Sequence, residues 1–208
     1  MPTRRTTTSY AILGLLGLRS WTTYELAKQV QRSLNWFWPR AERKLYDEPK
    51  RLVAEGLATA TKEATGKRPR TVYGITDAGR DELRRWLSDP PAPRTTEFEG
   101  MVKVFFAEAG SLDQLGATLD AIGTEATERL EALAQLAATG ADSSRFPERL
   151  HLSALGLRLH LEQEATVLRW VEWARAQVAQ WSDTGVPGEW DAKRALTELA
   201  ADARGMTA

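Results

Sequence analysis

The chain has 208 residues, 42% hydrophobic and 27% charged, with two histidines and no cysteine. That length can bury the core of one or two domains, and without cysteine there are neither disulfides nor thiolate metal sites. Net charge is zero, but residues 1–90 hold 17 Lys/Arg against 10 Asp/Glu (+7) and residues 91–208 hold 11 against 18 (−7). A basic half suits a polyanion, and an acidic half must serve something else.

The N-terminal stretch MPTRRTTTSYAILGLLGL contains a short apolar run with no small-residue cleavage site after it. It is too short to span a bilayer, so a soluble cytoplasmic protein with no membrane partner is expected. Tyr10, Ile12, Leu13, Leu15, Leu16 and Leu18 make this a buried first helix over Thr6–Leu18, with Thr7, Thr8 or Ser9 as its N-cap. Gly14 and Gly17 either permit close packing or merely weaken the helix.

Arg19-Ser20-Trp21 breaks the pattern. Thr22 or Thr23 caps a second helix, with Glu25 placed to complete a capping box on Thr22, and Leu26, Ala27, Val30 and Leu34 recur at helical spacing. Asn35-Trp36-Phe37-Trp38-Pro39 ends it. The third helix spans about Pro39–Glu55, with Pro39 at the first helical position. Ala41, Leu45, Leu52 and Val53 point one way, while Arg40, Arg43, Lys44, Asp47 and Arg51 point the other. Tyr46 either packs inward or reaches a phosphate. Pro49 removes a bond to the Leu45 carbonyl at about 3 kcal/mol, so a kink there or an irregular preceding turn is expected.

Gly56 supplies the left-handed stop that only glycine adopts cheaply. Ala58–Ala64 and Thr71–Thr76 read as strands, joined by the tip Thr65-Gly66-Lys67-Arg68-Pro69-Arg70. Thr76-Asp77 caps a fourth helix to Ser88, apolar at Leu83, Trp86 and Leu87. This order of basic helix, glycine stop, hairpin with a cationic tip and new helix spells a winged helix-turn-helix, a module that reads duplex DNA. Its candidate DNA contacts are Arg40, Arg43, Lys44, Tyr46, Asp47, Lys50 and Arg51 on the helix, Lys62 on the first strand, and Lys67, Arg68 and Arg70 on the wing. Recognition helices set their first turns against base edges, and wing cations reach phosphates or the minor groove.

Asp89-Pro90-Pro91-Ala92-Pro93 is a stiff linker. The expected fold is mainly α: a winged helix-turn-helix with a small β-hairpin wing over 1–90, a Pro-rich linker over 91–97, and an antiparallel helical dimerisation and effector domain over 98–208. In that domain Phe98–Ala109 reads as one helix. Ser111, with Gln114 three residues on, caps the next, whose Leu112, Leu115, Leu119, Ile122, Ala126, Leu130 and Leu133 form a heptad-like seam. Thr139–Ser144 reads as a loop. A long helix follows over Phe146–Trp181, with Leu150, Ala154, Leu157, Leu161, Leu168, Val171 and Val178 on one stripe and Leu152, Leu155 and Leu159 on a second. Gly185-Val186-Pro187-Gly188 breaks it, and Asp191–Ala203 forms a last helix.

Two stripes imply burial on two sides, one of them against another chain; Leu150, Leu157, Leu161, Leu168 and Val171 are the candidate dimer residues. Trp36, Phe37 and Trp38, with Phe105 and Phe106, are candidates for a small aromatic effector, because concave aromatic sites favour planar apolar ligands. His151 and His160 lie nine residues apart on one helix and make no metal pair, and no nucleophile motif or phosphate-binding Gly-rich loop is present. No catalysis, metal or cofactor is expected.

The run Trp38-Pro39, Leu45-Tyr46, Lys50-Arg51-Leu52, Glu55-Gly56-Leu57, Gly66-Lys67-Arg68-Pro69-Arg70, Tyr73, Ile75-Thr76-Asp77-Ala78-Gly79, Leu83 and Trp86-Leu87 resembles the PadR family of bacterial transcriptional regulators, as does the opening Thr23-Tyr24-Glu25-Leu26. The resemblance covers roughly 9–90, and the helical remainder is similar to the dimerisation domain of the longer PadR subgroup. It implies a homodimer on a pseudo-palindromic double-stranded operator, usually as a repressor released by a small molecule. Two positions depart. Pro49 stands where the family has an apolar residue, and the wing's usual Gly-Arg-Pro is one residue longer here. The rival readings are a winged-helix protein-interaction module, which would not need cations on both helix and wing, and a helical ligand-binding protein or enzyme.

Overall fold

The computed structural model of the chain describes residues 5–34, 42–65, 68–143 and 145–206, apart from the side chains of 42–44, 64–65, 68–69, 141–143 and 206. Two compact units result, Met1–Arg94 and Thr95–Ala208.

In the first unit the order is α1 (Thr7–Leu18), β1 (Trp21–Thr22), α2 (Thr23–Ser33), α3 (Glu42–Ala54), β2 (Ala58–Thr65), β3 (Arg68–Ile75) and α4 (Asp77–Ser88). Local chemistry sets most of the ends. Thr6, rather than Thr7, Thr8 or Ser9, caps α1, and Ser9 is its reciprocal partner. Thr22 caps α2 and Glu25 bonds back to its backbone, as expected. At the end of α3, Leu57 N–H donates to Leu52 O (2.9 Å) and Gly56 N–H to Val53 O (3.0 Å), with Gly56 at φ +73°. These two bonds satisfy carbonyls that the helix end would otherwise orphan.

The helix α1 is buried around most of its girth, at Thr8, Ser9, Tyr10, Ile12, Leu13, Leu15 and Leu16. A Cβ on Gly14 or Gly17 would meet nothing within 4 Å, so neither serves close packing. Trp21 is not part of a break but begins a short strand that pairs with β3 (Trp21 opposite Tyr73), giving a sheet ordered β1-β3-β2. Its ring is 1% exposed and its Nε1 donates to Leu15 O at 2.7 Å, which binds β1 to α1.

Pro49 does not break α3. The helix runs through it, and its ring is among the fully buried side chains, on a stripe with Leu45, Glu48 and Leu52. Full burial of an apolar side chain stabilises by about 1.5–3 kcal/mol, comparable with the cost of the lost backbone bond. On α4, Trp86 stacks on Tyr10 (centroids 4.6 Å, planes 6° apart), but Leu87, expected on the apolar side, is 69% exposed.

The close approach in this unit is at Gly79. A Cβ there would lie 2.1 Å from Leu57 O and 2.8 Å from Ile75 Cγ1. Both α4 and the β2 entry would have to part, so Gly79→Ala should destabilise by about 3 kcal/mol. A thermal melt reads this, and an unchanged midpoint would show that α4 is not held there.

A charged hub joins α1 and α4. Glu82 accepts from Tyr10 Oη (2.9 Å), Arg5 Nη1 (2.9 Å) and Arg85 Nη2 (2.6 Å), with 13% of its side chain exposed. The Arg85 hydrogen bonds outweigh burial and, with Tyr10 and Arg5, hold the Glu82 carboxyl at about 2 against an ordinary 4.5. The unfolded chain therefore takes up this proton near 4.5 and the folded chain only near 2. The hub's contribution is complete above the unfolded value and is lost as pH falls through that window, on the order of 2 kcal/mol. Glu82→Gln should flatten the acid limb of stability; denaturant melts at about pH 6 and about pH 3 that differ equally in both proteins would exclude the hub as its source.

The second unit holds α5 (Glu99–Phe105), α6 (Leu112–Ser143), α7 (Leu150–Val178) and α8 (Ala192–Met206), with short 3₁₀ turns at Ala107–Ala109 and Pro147–Arg149. The helix read over Phe98–Ala109 thus ends at Phe105, where Phe106 takes φ −108°, ψ 24°. Ser111 and Gln114 form the expected reciprocal cap. The loop expected at Thr139–Ser144 is instead helix to Ser143, with Thr139 Oγ1 bonding back to Gln135 O at 2.9 Å. Leu115, Leu119, Ile122, Ala126 and Leu133 are buried along α6, as the heptad spacing predicts.

The facing seam of α7 differs from the expected leucine stripe. Its buried positions are His160, Glu164, Val171 and Ala174. Arg129 Nε donates to Glu164 Oε1 at 2.7 Å, and Arg175 pairs with Asp120, so the two helices run antiparallel. Val171 is 2% exposed and packs toward Gly123 of α6, so it is used within the chain rather than left for a partner. Leu150, Leu157, Leu161 and Leu168 are half-buried, whereas Leu152, Leu155 and Leu159 stand out at 47%, 71% and 51%.

Candidate nucleic-acid interface

The buried stripe of α3 fixes which positions face outward. With Leu45, Glu48, Pro49 and Leu52 inward, positions 43, 47 and 50 lie opposite at i, i+4, i+7 spacing. Asp47 and Lys50 are exposed there, 3.7 Å apart, and Tyr46 is half-buried beside them. Arg43 and Lys44 belong to the first turns of α3, their side chains lying outside the described residues, and Arg40 lies outside them altogether.

Helical spacing places Arg51 on the outer face. It turns instead toward α1: its Nη2 donates to Ser9 Oγ at 2.6 Å and pairs with Glu48. A guanidinium engaged on two sides by its own chain is an anchor for α3 rather than a free donor.

On the hairpin the pairing runs in register from Ala58 opposite Ile75 to Thr65 opposite Arg68. Arg68, Pro69 and Arg70 therefore belong to β3 and not to the tip, because the ladder continues farther than turn composition suggested. Lys67 lies outside the described residues, as does the side chain of Arg68. Lys62 is exposed on β2. Arg70 pairs with Glu63 directly across the strands (2.9 Å), half of each side chain in solvent, a contact that a phosphate can displace.

Sequence reasoning missed one surface. Tyr24, Lys28 and Arg32 are exposed at i, i+4, i+8 along α2, and the Lys28 ammonium sits 4.8 Å from the Tyr24 ring centroid. The signal for it lies in their spacing, which puts all three on one side of α2. The face supplies an aromatic hydroxyl and two cations, the donors that phosphate oxygens take.

Of the effector candidates, Trp36, Phe37 and Trp38 lie outside the described residues. Phe105 and Phe106 meet edge to face (5.0 Å) and are 76% and 57% exposed, not buried. Phe106 borders an open groove of about 540 Å³ in the second unit, with Val102, Lys103, Gln114 and Leu115. Among the described residues no three His, Cys, Asp or Glu side chains gather as metal ligands, and no helix is long and apolar enough to cross a membrane.

The transcriptional regulator PadR-like family matches residues 12–85, and the C-terminal domain of the virulence activator alpha type matches residues 99–179. Residues 12–85 carry a PadR-like domain. Negative transcriptional regulator PadR of Bacillus subtilis is 35% identical over 99 residues, 47% of this chain and 54% of that protein. The chain spans about half the length of the curated relatives it matches. The structure of Bacillus subtilis PadR in complex with operator DNA superposes with a TM-score of 0.72 at 27% identity, covering 83% of this chain and 99% of that one. That of PadR in complex with p-coumaric acid gives 0.66 at 26% identity, covering 84% and 98%.

Proposed function

We propose that this PadR-like chain is a cytoplasmic, homodimeric, sequence-specific DNA-binding transcriptional regulator that represses until a small aromatic acid releases it. The observation that carries the reading is the outer face of α3. It presents Asp47, Lys50 and the Arg43 position opposite a buried stripe, in a fold that superposes on a PadR solved on operator DNA. Arg43 and Lys44 enter the major groove, while Lys62, Lys67, Arg68 and Arg70 hold the flanking backbone. Repression takes support from a relative named as a negative regulator. Dimerisation takes support from Leu152, Leu155 and Leu159, an apolar row that the chain itself leaves uncovered. Gel-shift and light-scattering measurements on a duplex selected from a random pool test the whole; a monomer that selects no sequence would end it.

The effector proposal rests on the PadR complex with p-coumaric acid and on the groove beside Phe106, where Lys103 adds a cation for a carboxylate. Hydroxycinnamic acids should release the selected duplex at micromolar to millimolar concentration, and Phe106→Ala should raise the amount needed about tenfold. A panel of such acids that leaves the complex intact would remove this part alone.

A further inference from the structure

Arg5 stands before α1 and outside the residues 12–85 that the family matches, yet it grips two helices at once. Its Nε donates to Glu55 Oε2 at 2.8 Å and its Nη1 to Glu82 Oε1 at 2.9 Å. One rigid guanidinium fork therefore joins the residue that closes α3 to the middle of α4. The clamp is partly sheltered, with 24% of the Arg5 side chain, 32% of Glu55 and 13% of Glu82 exposed. Its anchor is also preset, since Tyr10 of α1 and Arg85 of α4 already orient the Glu82 carboxylate. The bond from Arg51 to Ser9 ties α3 to α1 one turn earlier. Two tethers near one end of a helix set both its height and its tilt.

We infer that Arg5 is a positioning residue for base recognition: by clamping Glu55 to Glu82 it sets the angle at which α3 meets DNA. The inference rests on the operator-binding reading above. Leverage makes the effect selective. The Arg43 position lies twelve residues from Glu55, roughly 18 Å along the axis, so a tilt of about 5° moves it by roughly 1.5 Å. Hydrogen bonds to base edges tolerate only a few tenths of an ångström. Long, mobile cations on phosphates follow such a shift. Loosening the clamp should therefore erase discrimination before it weakens adhesion.

The test uses the full chain, a duplex selected by wild type from a random pool, and a scrambled duplex of the same composition. Arg5→Met keeps the apolar stem without the fork, and Glu55→Gln loosens the same contact from the helix end, where no DNA contact is assigned. Each should weaken the selected duplex about tenfold and the scrambled one less than about twofold, and the double variant should be no worse than either single. Arg5→Lys, charged but forkless, should fall between. Melting temperatures identify any variant that merely unfolds. Variants that keep the wild-type ratio of affinities, or lose both affinities in step with stability, overturn the positioning role. A wild type that itself binds both duplexes alike overturns the operator reading, and this inference with it.

Discussion

Arg43→Ala should lower affinity for a selected duplex by about ten- to a hundred-fold and leave binding to scrambled DNA nearly unchanged, because a bidentate contact to guanine discriminates by about 1–3 kcal/mol. The expectation comes from its position: 43 lies on the α3 face opposite Leu45 and Leu52, aligned with exposed Lys50. Asp47 on the same face sharpens the contrast. A carboxylate near phosphates opposes adhesion but accepts from cytosine, so Asp47→Ala should strengthen scrambled binding while narrowing discrimination. Wing changes should act differently. Lys62→Ala and Arg68→Ala should weaken both duplexes together, each lowering the slope of log affinity against log salt by roughly one unit. None should move the melting midpoint far, since surface substitutions stay within about 0.5 kcal/mol. A salt titration of wild type, Arg43→Ala and Arg68→Ala on both duplexes decides it. Three proteins with one common pattern would reduce the basic face to a solvated surface.

Leu155→Glu should convert the proposed homodimer to a monomer. Leu155 is 71% exposed in the single chain, on a row with Leu152 and Leu159, while the opposite side of α7 is already consumed by α6. A carboxylate buried without a partner at such a contact costs several kcal/mol, enough for a hundredfold or greater loss of association. Light scattering should then report a mass near 23.2 kDa instead of twice that value. Selected-duplex affinity should collapse with it, because one recognition helix reads a single half-site. Two controls locate the interface. Val171→Ala should lower stability through the α6 contact and leave association intact, while Leu87→Glu, on an exposed position of the first unit, should change neither. A Leu155→Glu chain that remains dimeric would place the interface elsewhere on the second unit.

The parts of this protein legible in its sequence are those settled within a turn or two of chain. Thr22 with Glu25, Ser111 with Gln114, and Gly56 after α3 each satisfy helix-end groups through neighbours three to five residues away, so residue type and spacing suffice. The α6 seam was legible for a related reason: its apolar positions repeat at the helical period. Composition also told the basic hairpin from the acidic helices. What only the tertiary structure decided involves partners far apart in sequence. Pro49 keeps its place because its ring completes a buried stripe. Arg51 left the outer face because Ser9, 42 residues earlier, offered it an acceptor. Glu164 sits in the α7 seam where apolar spacing alone predicts Leu161 and Leu168, because Arg129, 35 residues away, neutralises it there. Arg5 found its two carboxylates 50 and 77 residues downstream. Apolar periodicity treats every charged side chain as surface, and a buried ion pair reverses that rule only where folding supplies its counter-charge.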